Sequence, residues 1–371
     1  MAVFRPRCTD GHRVLRNLRA TLGFSFLGLL ALGVSLWIVV PGPTPSLFAL
    51  TVGTTELWPL ITCIDAVICV VLMCYSRGAL RAVSLAVALA SLAISVVPAV
   101  AYAGRGPYVP FRALLSVHDG TELPVTMRTL RDGNIVYAPR AAQTLPIVVA
   151  IYGGAWQRGS PRNDRLLNET IASWGYVVVA IDYPHAPQAR WPAQREAVLR
   201  ELARVRVLAP TLGGDATRIV LLGHSSGAQL AVIATSLRQD DVRGLVTYES
   251  PVDLQLGYYH PSQPDVIHIQ AILRDLCGDT PQQAPACYRG ASPRYAVRRG
   301  MPPVLMFAAG RDHVADLGYE RILRDTLRRA GAPVDYVELA WADHAFETLA
   351  YGFHDRIALW YLRRFLAAVR S

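Results

Sequence analysis

Four short stretches hold the residues that could do chemistry. They are Tyr152-Gly153-Gly154-Ala155-Trp156, Gly223-His224-Ser225-Ser226-Gly227, Gly310-Arg311-Asp312-His313-Val314 and Ala342-Asp343-His344-Ala345-Phe346. A serine hydroxyl is a weak nucleophile until a base takes its proton, and an imidazole needs a carboxylate to fix its tautomer for that task. A serine, an aspartate and a histidine in separate stretches are therefore the parts for covalent attack on a carbonyl carbon. Such an attack creates an oxyanion, whose usual stabilisers are preorganised backbone N–H groups. Gly153-Gly154-Ala155 offers such groups with no bulky side chain to block the carbonyl.

The elements that must position these residues show in the flanking patterns. From about residue 104, short β-rich runs recur: PIVVAIY, YVVVAIDY, RIVLLGHS, LVTYES, PVLMFAAG and PVDYVELAW. Helix-period segments fall at 162–174, 192–208, 226–238, 315–330 and 353–370. Apolar strands alternating with helices imply a mostly parallel sheet covered on both faces. A hairpin precedes it, with Asp132-Gly133 at the turn of VTMRTLRDGNIVYAP. Residues 254–300, rich in Pro, Gln and Tyr, read as an irregular insertion after a strand end, where α/β folds bind ligands.

The pattern G-x-S-x-G arises by chance in roughly one chain in seven of this length at average Gly and Ser usage. Its place between the strand RIVLLGHS and the helical SGAQLAVIATSL is what carries the argument. There a strained turn presents the central serine, which makes Ser225 the candidate nucleophile. In that elbow architecture the acid and then the histidine follow, each just after a late strand. Asp312 follows PVLMFAAG and His344 follows PVDYVELAW. The oxyanion donors would be the N–H groups of Ser226 and of the Gly153-Gly154-Ala155 loop. His313 comes too early in the chain order, and the side chain of His224 should point away from Ser225. Asp316, Asp343, Glu249 and Asp253 remain other sources of a carboxylate; Glu249 ends the preceding strand in TYESP. Histidines 12, 118, 185, 260, 268 and 354 show no metal-ligand spacing.

YGGAW, AIDYPHAP, GGDATRIVLLGHSSGAQ, AGRDHV and ADHAF resemble, in order, the blocks of carboxylesterases of the hormone-sensitive-lipase type. The nearest branch is the feruloyl-esterase-like (BD-FAE) and kynurenine-formamidase-like one, over roughly 130–371. The resemblance implies an α/β-hydrolase fold, a Ser225–Asp312–His344 triad, Gly154, Ala155 and Ser226 as oxyanion donors, and no cofactor. Residues 254–300 would stand for the variable specificity insert. Two positions depart from the family spelling. Tyr152 replaces the histidine before the glycines, and Pro184-His185 replace Arg-Leu. Both resemble family sites that brace the oxyanion loop.

Residues 1–103 have a different texture and account for most of the excess apolar content, which is 52% for the whole chain. Three transmembrane helices are expected at about 21–40, 57–75 and 82–103, with the hydrolase domain over 104–371. Glu56 and Pro59 would leave the start of 47–75 at the interface, and Asp65 near mid-membrane. Arg5, Arg7, Arg13, Arg16 and Arg19 precede the first run, and Arg77 and Arg81 separate the second and third. The positive-inside rule then gives a multi-pass inner-membrane protein with a cytoplasmic N-terminus and an extracytoplasmic hydrolase domain. Cys277 and Cys287 could pair across a short loop there, whereas Cys8, Cys63, Cys69 and Cys74 lie before or within the apolar region.

The formal charge of +9 is carried entirely by arginine and spread without a basic stripe, which sets nucleic acid aside as a partner. The expected partners are an ester substrate, lipidic or amphipathic, and the lipid bilayer; the oligomeric state does not follow from the sequence. The expected function is a membrane-anchored serine carboxylesterase. The same triad would serve an acyltransferase or transesterase, or an amide-cleaving formamidase-like hydrolase. A non-catalytic membrane scaffold is the rival from another class, and the complete residue set argues against it.

Overall fold

The structure is a computed structural model and describes residues 10–75, 79–107, 110, 114, 122–140 and 144–370. Arg5, Arg7, Cys8 and Arg77, and the side chains of Arg13, Arg16, Arg19 and Arg81, lie outside what is described. The chain divides into two compact units, Met1–Arg105 and Gly106–Ser371.

The first unit is helical: α1 (Asp10–Val39), α2 (Pro45–Glu56), α3 (Trp58–Tyr75), α4 (Ala79–Ser95) and α5 (Val97–Arg105). The expectation of three spanning helices is not met. Among the described residues one helix, Ala82–Gly104, is long and apolar enough to cross a membrane, and it comprises most of α4 and α5. The apolar portion of α1, Ser25–Val39, falls short of the ~20 residues a span needs. The second run is broken at Leu57, where α2 and α3 are bent by 75°. A count of apolar residues reads composition and is blind to such a bend. Proline fits only the first turn of a helix, and Pro59 in the first turn of α3 makes Glu56–Trp58 the natural place for the break.

This unit places its polar groups inside. Ser35 Oγ donates to Asp65 Oδ2 at 3.0 Å and accepts from Ser91 Oγ at 3.0 Å, which ties α1, α3 and α4 together. Phe26, Leu60, Val67, Val83 and Val100 are more than half exposed, while Ser35, Asp65 and Ser91 are buried.

The second unit is an eight-stranded sheet with strands β1 (Val125–Thr129), β2 (Ile135–Pro139), β3 (Leu145–Ile151), β4 (Val177–Ile181), β5 (Gly214–His224), β6 (Gly244–Tyr248), β7 (Val304–Ala309) and β8 (Val334–Leu339). Its order is β1-β2-β4-β3-β5-β6-β7-β8. The β1–β2 hairpin turns at Asp132-Gly133 and joins β4 antiparallel; the remaining pairs are parallel. β3, β4 and β7 are buried along their whole length because helices cover both faces, which is why they read as unbroken apolar runs. The long covering helices are α6 (Arg165–Ser173), α7 (Ala193–Leu212), α8 (Ser226–Leu237), α9 (Leu317–Arg329) and α10 (Phe353–Val369).

Residues 254–300 are more regular than expected. They fold into four short helices, Leu254–Tyr259, Ile269–Cys277, Pro285–Gly290 and Pro293–Ala296, with a disulfide between Cys277 and Cys287. None exceeds nine residues, too short for a 3.6-residue period to register in the sequence.

Candidate active site

The carboxyl ends of β3, β5, β7 and β8 bring the four motifs together. β5 ends at His224 and α8 begins at Ser226, so Ser225 occupies the junction alone, at φ 50°. A positive φ on a non-glycine residue marks a turn held in place by its surroundings. Here the Ser225 N–H donates to the Tyr248 carbonyl at 2.8 Å. Gly227 lets α8 close on the end of β3: a Cβ there would stand 2.1 Å from the Ile151 carbonyl oxygen.

Asp312 and His344 lie on the turns that follow β7 and β8. His344 Nε2 lies 3.0 Å from Ser225 Oγ, and Nδ1 lies 2.8 Å from Asp312 Oδ2. With Asp312 accepting, the proton sits on Nδ1 and Nε2 faces the serine as an acceptor. The other oxygen, Asp312 Oδ1, accepts the N–H groups of Val314 and Ala315 at 2.7 and 2.6 Å, which fixes the carboxylate. Burial alone would lower the His344 pKa, but the surrounding carboxylates, Asp312 first and then Glu347 and Asp343, together outweigh it and hold the ring above its ordinary 6.5. Burial in turn pushes the Asp312 carboxyl above 3.8, against the pull of His344.

The other carboxylates and imidazoles have separate roles. His313 Nδ1 pairs with Asp343 Oδ2 at 2.6 Å, and Asp343 Oδ1 accepts the His344 N–H at 2.8 Å. The His224 side chain turns away from Ser225, as expected, and pairs with Glu347 at 2.9 Å. Asp316 caps α9 through the Gly318 N–H. Asp253 caps the first insert helix and holds Arg294 at 2.9 Å and Tyr295 at 3.1 Å. Glu249 stays close, with Oε2 3.6 Å from His344 Nδ1.

The glycine loop sits against the elbow. A Cβ on Gly153 would be 3.0 Å from the His224 carbonyl oxygen. Gly154 has φ +142°, and a Cβ there would collide with the Arg158 carbonyl oxygen at 2.0 Å. Ala155 and Trp156 follow at φ 54° and 60°. Among the described residues no backbone carbonyl accepts from the Gly154 or Ala155 N–H, and the Ser226 N–H is free as the first of its helix. Trp156 Nε1 donates to Gln229 Oε1 at 3.0 Å, and Gln229 Nε2 donates to the Ala291 carbonyl at 2.7 Å. That chain ties the loop to α8 and to the insert.

Tyr152 stands behind the loop. Its hydroxyl donates to Asp182 Oδ1 at 2.5 Å and lies 2.9 Å from His185 Nε2. Tyr183 stacks on its ring at 4.5 Å and donates to the Tyr152 carbonyl at 3.1 Å. Desolvation, with Asp182 adding to it, pushes the phenol well above 10, so it stays a donor. Tyr152→Phe is expected to lower kcat about tenfold, the scale of one hydrogen bond to a charged partner. Ser225 should still react with a fluorophosphonate in that variant. An unchanged kcat would make Tyr152 a packing residue only.

Residues 134–327 match the BD-FAE family model, just over half of the chain. The chain belongs to the BD-FAE family. Among curated proteins, this BD-FAE member is 30% identical over 240 residues to the "Probable carboxylic ester hydrolase LipM" of Mycobacterium tuberculosis, covering 61% of this chain and 55% of that protein. It is 30% identical over 216 residues to Esterase LipC of the same organism, covering 55% of this chain and 54% of LipC. The chain thus spans about half the length of the curated relatives it matches. The hyperthermophilic esterase of Pyrobaculum calidifontis superposes with a TM-score of 0.57 at 24% identity, over 69% of this chain and 86% of that one. That likeness shows the α/β-hydrolase fold.

Proposed function

We propose that this protein is a membrane-anchored serine carboxylesterase that works through an acyl-enzyme on Ser225. The observation that carries the reading is the unbroken chain Ser225 Oγ, His344, Asp312 at 3.0 and 2.8 Å, beside a loop with free N–H groups. His344 Nε2 takes the Oγ proton as Ser225 attacks the ester carbonyl carbon. The oxyanion rests on the N–H groups of Gly154, Ala155 and Ser226. His344 then gives its proton to the departing alkoxide, leaving Ser225 acylated. A water repeats the sequence: His344 takes its proton, the hydroxide attacks, and the carboxylic acid leaves as Ser225 regains a proton.

A cleft opens beside Ser225, and Val252, Leu254, Ile267, Ile269 and Leu273 give it apolar walls. The acid in its lining, Asp253, is already held by Arg294 and Tyr295. An apolar cleft with its charge paired suits a neutral acyl chain of short to medium length. A panel of aryl esters with graded acyl chains, run on wild type and Ser225→Ala, tests the reading. Turnover should peak within that range and depend on Ser225; no ester turned over, or turnover independent of Ser225, would sink it.

The helical unit supports anchoring because its leucines, valines and phenylalanine face outward and its serines and Asp65 inward, the arrangement suited to a lipid surround. One crossing by Ala82–Gly104, like any odd number, puts the N-terminus and the hydrolase on opposite sides. The Cys277–Cys287 disulfide favours an oxidising compartment for the latter. In intact cells these two cysteines should react with an impermeant maleimide only after a reductant is added. Labelling only after lysis would contradict the topology, and labelling without reductant would contradict the disulfide.

A further inference from the structure

Three imidazoles around the site each hold a carboxylate: His344 with Asp312, His313 with Asp343 and His224 with Glu347. One carboxyl at the same place has no imidazole of its own. Glu249 follows the last residue of β6 at φ 51°, a strained conformation for a side chain of its size. It is buried, and among the described residues its Oε1 has no partner. Its Oε2 accepts the Ala345 N–H at 2.6 Å and stands 3.6 Å from His344 Nδ1. Single ligand atoms of Glu249, Asp312 and His344 all lie within 4.8 Å of one another.

We propose that Glu249 is a second acid for His344, a positioning residue that holds the histidine loop through Ala345 and can replace Asp312 as the partner of the Nδ1 proton. This rests on the acyl-enzyme reading of Ser225. Two buried carboxyls this close do not both ionise beside a neutral imidazole, so one of them keeps its proton. Asp312 is the one with two further N–H donors and the shorter contact to the ring, and it takes the charge. Glu249 then stays protonated at rest, its pKa held well above 4.5 by burial and next by the charges of Glu347 and Asp312. The titratable groups facing it are Asp312, His344 and Glu347 on the loops after β7 and β8, Glu320 on α9, and Tyr248 on its own strand. Remove the charge of Asp312 and one of the two charges that most favour a neutral Glu249 goes with it, while the Nδ1 proton is left without its nearer acceptor.

The test is kcat/KM against pH for wild type, Asp312→Asn, Glu249→Gln and the double variant, with Ser225→Ala as the control. An aspartate-to-asparagine change in an unaided serine triad costs about 10⁴-fold. With Glu249 in reserve, Asp312→Asn should lose only about 10²-fold at its pH optimum, and the double variant a further ~10²-fold. The acid limb adds a readout that a merely structural role would not move. Wild type needs one proton lost, from His344, so its log profile rises with slope one. Asp312→Asn needs two protons lost, from His344 and Glu249, so its limb should approach slope two; the double variant returns to one. If the double variant does not fold, the slope for Asp312→Asn alone decides. Equal activity of Asp312→Asn and the double variant, both with slope one, would overturn the role of Glu249 while leaving an active wild type. A wild type without Ser225-dependent turnover would overturn the underlying hydrolase reading as well.

Discussion

Ser225→Ala is expected to lower kcat for ester hydrolysis by about 10⁵- to 10⁶-fold, the scale seen when a serine nucleophile is removed. The change deletes one oxygen whose partner is His344 Nε2 at 3.0 Å, so it removes the attacking atom and little else. The backbone at this position, φ 50°, costs alanine about what it costs serine. The variant should therefore fold with an unchanged melting temperature. Steady-state kinetics on a short-chain aryl ester, with thermal denaturation alongside, checks both halves. A loss of less than tenfold in a folded variant would mean that the chemistry runs elsewhere.

Gly154→Ala is the second large effect, an expected fall in kcat of about 10²- to 10³-fold, the range for loss of one oxyanion donor. The added Cβ would meet the Arg158 carbonyl oxygen at 2.0 Å, and that oxygen belongs to the backbone and cannot rotate away as a side chain would. The φ of +142° is also closed to alanine. The loop must move, and the N–H groups of Gly154 and Ala155 move with it. Because the loss falls on transition-state binding, kcat should drop with KM nearly unchanged. The reverse pattern, a raised KM at constant kcat, would place these residues in substrate binding.

The sequence made the sheet and the order of the candidate site residues readable for physical reasons. Buried parallel strands leave continuous apolar runs, and β3 to β8 coincide with the six runs in the sequence. The elbow leaves two glycines around a serine because α8 packs directly on the end of β3, through Gly227. Other features left no such mark. Gln229, which ties the glycine loop to the insert, is 73 residues from Trp156. Glu347 is 123 residues from His224. No local pattern announces pairs so far apart, although a glutamine inside the apolar run of α8 was a polar residue in need of a partner. The insert hid four helices because each is short, and the helical unit hid its bend because hydropathy measures composition along a line. Tyr152 lies between these cases. Its departure from the family spelling was visible, but the Asp182 and His185 contacts that give it a task were not.

The measurement that tests the account most directly is covalent trapping. The purified full-length protein, treated with a fluorophosphonate and mapped by peptide mass spectrometry, should carry one adduct on Ser225, with esterase activity lost in proportion to its occupancy. An adduct on another residue, or full activity with Ser225 completely modified, would contradict it.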